Sequence, residues 1–228
     1  MLILRAFWVL LSGWLRHSRS GVVSFDLYDT LIYRKCGTPY NALMLVEHHL
    51  GIPGLAAMRR DTERYCRNSA QGDVPFKYIY ATMEKRYPGF DWEHVAKVEQ
   101  AIERENLRLS EKTFWKLRRH RAAGRKIVYI SDMYYSTEWL KAELTRLGVW
   151  REGDVMIVSC DLGACKRDGS LFAESKKLLG LATWTHYGDN IKSDILRAHE
   201  NGLLAKWAPH SYLYVLKASL SKRLFRDR

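Results

Sequence analysis

The chain reads as an α/β protein: a doubly wound, Rossmann-like parallel sheet with an all-helical block inserted after its first strand. Three observations predict this. From residue 126 onward, short β-branched runs alternate with short amphipathic helices, the pattern of a parallel sheet with crossover connections. An earlier run of the same kind, Val-Val-Ser-Phe at 22–25, ends in Asp26. Between the two, residues 40–122 carry helical periodicity and no strand pattern.

Residues 22–31, Val-Val-Ser-Phe-Asp-Leu-Tyr-Asp-Thr-Leu, open as a buried strand, because the apolar residues are continuous and hydroxyl-bearing residues close the run. Asn41–Leu50 places apolar residues at helical spacing and stops at Gly51. Ile52-Pro53-Gly54 is a turn, and Leu55–Ser69 a second helix. Pro75–Arg86 sets Phe76, Ile79, Tyr80 and Met83 on one helical face. After Pro88-Gly89, Glu93–Leu109 and Glu111–Ala123 are further helices, the last stopped by Gly124. Lys126–Ser131 is a strand, Thr137–Leu147 a helix, Val155–Ser159 a strand and Leu171–Leu179 a helix. Trp184–Tyr187 is a strand running into Gly188-Asp189, Ile191–Glu200 a helix, and Leu203–Trp207 the last strand. The expected organisation is a core domain of residues 21–38 and 123–210, with a helical cap subdomain of residues 39–122. An apolar and basic segment precedes it at 1–20, and a basic amphipathic segment follows at 211–228.

Composition narrows the function. The 228 residues suffice for one sizeable core with an inserted subdomain, and 47% hydrophobic with 27% charged residues is ordinary for a globular chain. The net charge of +12 points to nucleic acid, an anionic membrane surface or a phosphorylated substrate. No helix-turn-helix, zinc-finger or aromatic RNA-binding signature accompanies it, which sets nucleic acid aside. Cys36, Cys66, Cys160 and Cys165 are too few and scattered for a disulfide framework, and no CxxC occurs. Reduced thiols in a cytoplasmic protein are the expectation. Met1–Leu15 is nearly all apolar but shorter than the roughly 20 residues a membrane helix needs. It also lacks the basic start and small-residue cleavage site of a secretory signal. Both terminal segments suit a peripheral contact with the inner face of an anionic membrane.

Four polar sites mark successive strand ends: Asp26 with its neighbours, Ser131-Asp132, Lys166 after the third core strand, and Gly188-Asp189-Asn190 with Asp194. Each alone is ordinary, since a Ser at a strand end usually caps a helix and a lone Lys is usually solvated. In a doubly wound sheet these ends converge on one crevice. Carboxylates with a hydroxyl and a Lys suit a divalent cation plus a phosphate. Mg²⁺ takes oxygen ligands and is usually held by one or two carboxylates, here Asp26 and Asp189, with Asp194 as a third or supporting group. A carboxylate also serves as nucleophile in aspartyl-phosphate formation.

Phe-Asp-Leu-Tyr-Asp-Thr-Leu (25–31), Ile-Ser-Asp-Met-Tyr (130–134), Lys166 and Gly-Asp-Asn-x-x-Ser-Asp (188–194) resemble, in order, the four motifs of the haloacid dehalogenase (HAD) superfamily. The resemblance spans about residues 22–208, and the helical insertion matches the place of that superfamily's C1 cap. The variants are similar to those of predicted HAD hydrolases associated with bacterial surface-polysaccharide biosynthesis. The resemblance implies Asp26 as nucleophile and metal ligand, the Tyr28 backbone carbonyl as a second ligand, and Asp189 with Asp194 completing the Mg²⁺ site. It implies Ser131 and Lys166 as phosphoryl contacts and Thr30 as a turn residue near the nucleophile. Asp132 and Asn190, at the same strand ends, join Thr30, Ser131 and Lys166 as substrate-contacting candidates.

One departure stands out. Most phosphatases of the superfamily carry an acid/base Asp two residues after the nucleophile, where this chain has Tyr28. A phenol of pKa near 10 is a poor base at neutral pH. Asp29 is the candidate substitute, although side-chain alternation along an extended strand aims it away. The leading expectation is a Mg²⁺-dependent phosphohydrolase for a small phosphorylated metabolite such as a sugar phosphate. Lys77, Tyr78, Tyr80 and Arg86 are the candidate cap contacts. The alternatives are a 2-haloacid dehalogenase-like hydrolase, to which an aromatic at position 28 points, and a binding or scaffold protein on the same fold at the membrane.

Overall fold

The computed structural model describes Arg5, Ala6, Trp8, Val9 and residues 20–211. Apart from those few residues, the two terminal segments expected at 1–20 and 211–228 lie outside the described part. The chain runs β1 (Val22–Phe25), β2 (Ile32–Arg34), α1 (Pro39–Leu50), α2 (Leu55–Ala70), α3 (Phe76–Arg86), α4 (Trp92–Asn106) and β3 (Leu107–Leu109). It continues with α5 (Glu111–Ala122), β4 (Lys126–Ser131), α6 (Thr137–Arg146), β5 (Val155–Val158), α7 (Ser159–Leu162) and α8 (Ser170–Leu179). The last part is β6 (Thr185–Gly188), a π-helical segment (Ile191–Arg197), the short α9 (Ala198–Glu200) and β7 (Leu204–Trp207).

Five strands pair in the order β5-β4-β1-β6-β7, all parallel. The first strand is therefore central, and the connections reverse direction between β1 and β6. That reversal opens a crevice at the carboxyl ends of these two strands. Side-chain alternation divides the apolar residues between two faces. Val23, Phe25, Ile127 and Tyr129 enter one core, and Val22, Val128, Ile130 and Trp184 the other. Helices cover both faces, so the central strand shows no polar alternation and all four residues of β1 are buried. Ala6 and Val9 also pack into the second core, and Arg5 pairs with Glu200 at 2.9 Å.

The helices α1 to α4 form a closed bundle, α1 packing on α2 and α4, and α3 on α2 and α4. Their own core includes Val46, Leu55, Tyr80, Met83, Trp92 and Val95. Thr38 caps α1 by accepting from the Asn41 amide at 3.1 Å, and Asp91 caps α4 by accepting from His94 at 2.9 Å. Inside the bundle, buried Arg59 forms a two-pronged pair with Glu99 at 2.9 and 3.0 Å, and the Tyr80 hydroxyl donates to Glu99. The remaining helix of the 39–122 stretch, α5, lies against β4 and sends Leu117 into the core of the sheet.

Four local expectations change. The stretch between the first two core strands is not purely helical, because β2 and β3 pair antiparallel, Ile32 opposite Leu109. Leu107–Leu109, expected as the end of a helix, is the second of these strands. Ser159, expected in a strand, opens α7, which frees its hydroxyl to accept from the Met133 amide at 2.9 Å. Residues 191–197, expected as α-helix, wind as a π-helix, a geometry often found at functional sites. Among the described residues no helix is long and apolar enough to cross a membrane.

Candidate active site

Asp26 is the first residue past β1. Its amide still donates to the Tyr187 carbonyl of β6 at 2.8 Å, which holds it at the crevice between the two strands. The chain then turns sharply, with the amides of Leu31 and Ile32 both donating to the Leu27 carbonyl, at 2.8 and 2.9 Å. Asp29 sits in this turn at φ 59°, a left-handed conformation that costs a non-glycine residue about 1–3 kcal/mol. Its carbonyl accepts from the His210 amide at 2.7 Å, and the His210 ring stacks on Tyr33 at 4.6 Å. The turn breaks strand alternation, so Tyr28 and Asp29 both line the cleft. Asp29 is therefore not aimed away from the cleft, as an extended strand would have aimed it.

Tyr28 is held by the Arg34 guanidinium, 4.3 Å above its ring. Burial first, and the neighbouring Glu103 carboxylate second, push its phenol well above the usual value, which removes it as a base. Burial also raises Asp29, against the opposing charges of His210 and Arg34.

Ser131 ends β4 almost fully buried, and Asp132 follows it with one carboxylate oxygen accepting from the Lys166 amide at 2.7 Å. That bond fixes the loop carrying Lys166. The Lys166 ammonium reaches Asp26 at 2.5 Å and Asp194 at 2.6 Å. Asp194 lies on the π-helix and also accepts from the Asn190 amide at 3.0 Å. Close approach of this helix to β6 requires Gly188, because a Cβ there would lie 2.3 Å from the Cβ of Asp194. Thr30 donates its hydroxyl toward both Asp26 and Asp189, each at 3.3 Å, and ties the two strand ends together. Asn190 lines the cleft, and its amide oxygen caps the π-helix by accepting from the Lys192 and Ser193 amides.

Carboxylate oxygens of Asp26, Asp189 and Asp194 lie within 4.8 Å of one another. One ammonium faces these three acids, which leaves two negative charges for a divalent ion, and the all-oxygen donor set suits a hard one. The electrostatics agree. Burial, outweighing Lys166, raises Asp26 well above the usual carboxylate range. Burial together with Asp194 and Asp29 pushes Asp189 up to about 7. For Asp194 burial is outweighed, and Lys166 and His186 hold it well below the usual range. Against its own burial, Asp194 and Asp26 hold the Lys166 ammonium above its ordinary value.

Beneath the site runs a buried polar chain. The Trp184 indole N–H donates to Ser24 Oγ at 2.8 Å, and Ser24 Oγ lies 2.7 Å from His186 Nδ1. His186 Nε2 faces Asp194 at 3.4 Å. Since an indole only donates, the Ser24 hydroxyl is free to donate to Nδ1, which leaves the Nε2 proton for Asp194. Burial lowers His186, which keeps it neutral.

The cleft encloses about 450 Å³. The structure thus gathers Asp26, Tyr28, Asp29, Ser131, Asp132, Lys166, Asp189, Asn190 and Asp194 around one space. It does not bring the expected cap contacts there. The Tyr80 hydroxyl is spent on Glu99, Arg86 donates to Thr62 at 3.4 Å, Tyr78 faces solvent, and Lys77 lines a separate cavity. Arg67 of α2 reaches the cleft instead, held by Glu63 at 2.9 Å and by Asp73. Arg167 and Lys192 complete the rim.

No protein-family model matches the chain, and no curated protein does. Solved structures do. The HAD-hydrolase YfnB from Bacillus subtilis, bound to magnesium, is 16% identical with a TM-score of 0.57, over 82% of this chain and 87% of that one. A HAD phosphatase from Thermococcus onnurineus is 18% identical with a TM-score of 0.55, over 82% and 85%. A 2-haloacid dehalogenase from Pseudomonas syringae pv. Tomato DC3000 gives the same 18%, 0.55, 82% and 85%. At such identities the likeness establishes the fold: a HAD-like parallel sheet with helices on both faces.

Proposed function

We propose that this chain is a Mg²⁺-dependent phosphohydrolase of the HAD type, acting on a small phosphorylated metabolite through an aspartyl-phosphate at Asp26. The carrying observation is the convergence of Asp26, Asp189 and Asp194 around the Lys166 ammonium, at the switch point of the sheet. Two of the solved neighbours, a hydrolase bound to magnesium and a phosphatase, lend the reading support. The motif variants that resemble those of polysaccharide-associated hydrolases favour a sugar phosphate.

Asp26, Asp189, Asp194 and the Tyr28 carbonyl would hold the ion, whose chemistry is to offset the charge of the phosphoryl oxygens. A carboxylate oxygen of Asp26 attacks phosphorus, and the bond from phosphorus to the leaving oxygen breaks. Asp29 gives that oxygen its proton. Ser131 donates to a phosphoryl oxygen, and Lys166 balances the charge gathered at Asp26 and Asp194. A water then attacks the phosphoryl group, its proton passes to Asp29, and phosphate leaves with Asp26 restored.

Tyr28 favours a second reading, in which Asp26 attacks the carbon of a 2-haloacid. One panel separates the two: phosphomonoesters and 2-haloacids, each with Mg²⁺ or EDTA, for wild type, Asp26→Asn and Asp29→Asn. The proposal expects Mg²⁺-dependent phosphate release that Asp26→Asn abolishes and Asp29→Asn lowers by about 10²- to 10⁴-fold. Halide release in EDTA would replace it with the dehalogenase reading. Absence of both turnover and Mg²⁺ binding would leave a binding or scaffold role.

A further inference from the structure

The catalytic cleft is not closed at its far end. A second cavity of about 400 Å³ adjoins it, and Arg67 and Arg167 line both. This second space is polar, lined also by Asn68 of α2, Gln71 just after it, and the carboxylates of Asp73, which pairs with Arg67, and Asp168. The two arginines therefore stand where a substrate's leaving part would pass from one cavity to the next.

Charge is divided sharply between floor and rim. The carboxylates of the floor face Lys166 and the proposed ion site. The rim carries Arg67, Arg167 and Lys192. Arg67 is oriented by Glu63 and Asp73, which offset its charge. Arg167 and Lys192 are exposed, and among the described residues neither side chain has a hydrogen-bond or ion-pair partner. In the phosphohydrolase reading Ser131 and the ion serve the scissile phosphoryl group, and Lys166 is engaged by Asp26 and Asp194. The rim charge is thus surplus to that group: Arg67 is paired with Glu63 and Asp73, but Arg167 and Lys192 bring two uncompensated positive charges to one opening, which attract an anion.

We infer that the substrate carries a second anionic group, a phosphate or a carboxylate, on the part that leaves, held between Arg67 of the helical bundle and Arg167 and Lys192 of the core. Such contacts are charge-assisted, and guanidinium groups match both anions in geometry. Arg167 and Lys192 supply most of the attraction, since Arg67 is already paired. The inference rests on the phosphohydrolase reading and adds a substrate class to it.

Three non-hydrolysable ligands test it: propylphosphonate, 3-phosphonopropionate and propane-1,3-diphosphonate, titrated calorimetrically into wild-type protein with Mg²⁺. The first lacks a second anion, the second adds a carboxylate and the third a second phosphonate. At least one of the latter two is expected to bind about ten-fold or more tightly than propylphosphonate. In the double variant Arg167→Ala, Lys192→Ala that preference is expected to fall to within about three-fold. Both side chains are on the surface, so the variant retains its fold. Equal affinity for all three ligands in wild type overturns the inference and leaves the phosphohydrolase reading, which turnover decides, in place. A preference that survives in the double variant overturns the assignment to these residues. Failure of all three to bind overturns both.

Discussion

Gly188→Ala probes the tightest contact of the site. A methyl group at position 188 would sit 2.3 Å from Asp194 Cβ, 2.4 Å from its Cγ and 2.7 Å from Oδ2. Carbon atoms rest about 3.5–4.0 Å apart, so Asp194 has to retreat by more than about 1 Å. Its carboxylate then leaves Lys166, now at 2.6 Å, and the Asn190 amide, now at 3.0 Å. Overpacking costs about 1–3 kcal/mol, and a lost charged hydrogen bond about 1.5–3 kcal/mol. For a chain of this size the sum lowers the melting temperature by on the order of 10 °C. A displacement of about 1 Å at the reacting centre also costs on the order of 10² in rate. Gly21→Ala is the matched control, because a Cβ there meets nothing within 4 Å. The assay is thermal unfolding, Mg²⁺ titration and phosphate release on both variants. Wild-type melting and Mg²⁺ affinity in Gly188→Ala would refute the claim that Gly188 exists to admit Asp194.

Two further outcomes follow from the buried charges. Asp189 is pushed up to about 7, so between about pH 4 and 7 the metal-free fold holds a proton that the unfolded chain has lost. Its contribution to stability therefore falls as pH rises through that window. Chemical denaturation in EDTA is expected to find Asp189→Asn more stable than wild type, by a margin that grows from pH 5 to 8 and reaches a few kcal/mol at most. A margin that shrinks with pH would contradict this sign. Mg²⁺ requires the ionised carboxylates, so its affinity rises over the same window. Separately, Ser24→Ala leaves the Trp184 indole N–H and His186 Nδ1 without partners in a fully buried place. The expected cost is about 1–3 kcal/mol, or about 2–12 °C in melting temperature, and an unchanged melting curve would count against the buried chain.

Much of this was legible in the residues because burial on both faces of a parallel strand leaves a continuous apolar run. Lys126–Ser131 stands out for that reason, as does the Asp, Ser or Gly-Asp that follows each run. The ribbon of β2 and β3 was not legible. Each strand has three residues, too few for a period of two to register, and their pairing spans the whole helical bundle. Asp29 was a candidate from the sequence, but its aim into the cleft was not legible, because strand periodicity carried past Phe25 points it away and only the left-handed turn brings it back. Arg67 was missed for a different reason. It lies among Arg59, Arg60 and Arg64 on one helix, and sequence does not separate an arginine facing a cleft from those in a core or in water. The same holds for Tyr80, whose place on the apolar face of α3 commits it to Glu99 and the bundle core. The chain of Trp184, Ser24 and His186 joins residues of two neighbouring strands and the residue just before one of them. Only the register, Ser24 beside His186, brings it together.

The central claim is that Asp26 is the group that takes the phosphoryl group. Beryllofluoride binds a carboxylate as a stable mimic of an aspartyl-phosphate, so no knowledge of the substrate is needed. The measurement is the fluorine NMR spectrum of the protein with beryllofluoride, with Mg²⁺ and with EDTA, for wild type and Asp26→Asn. The account predicts bound fluorine resonances in wild type that require Mg²⁺ and vanish in Asp26→Asn. A bound signal that persists in Asp26→Asn, or none in wild type with Mg²⁺, would contradict it.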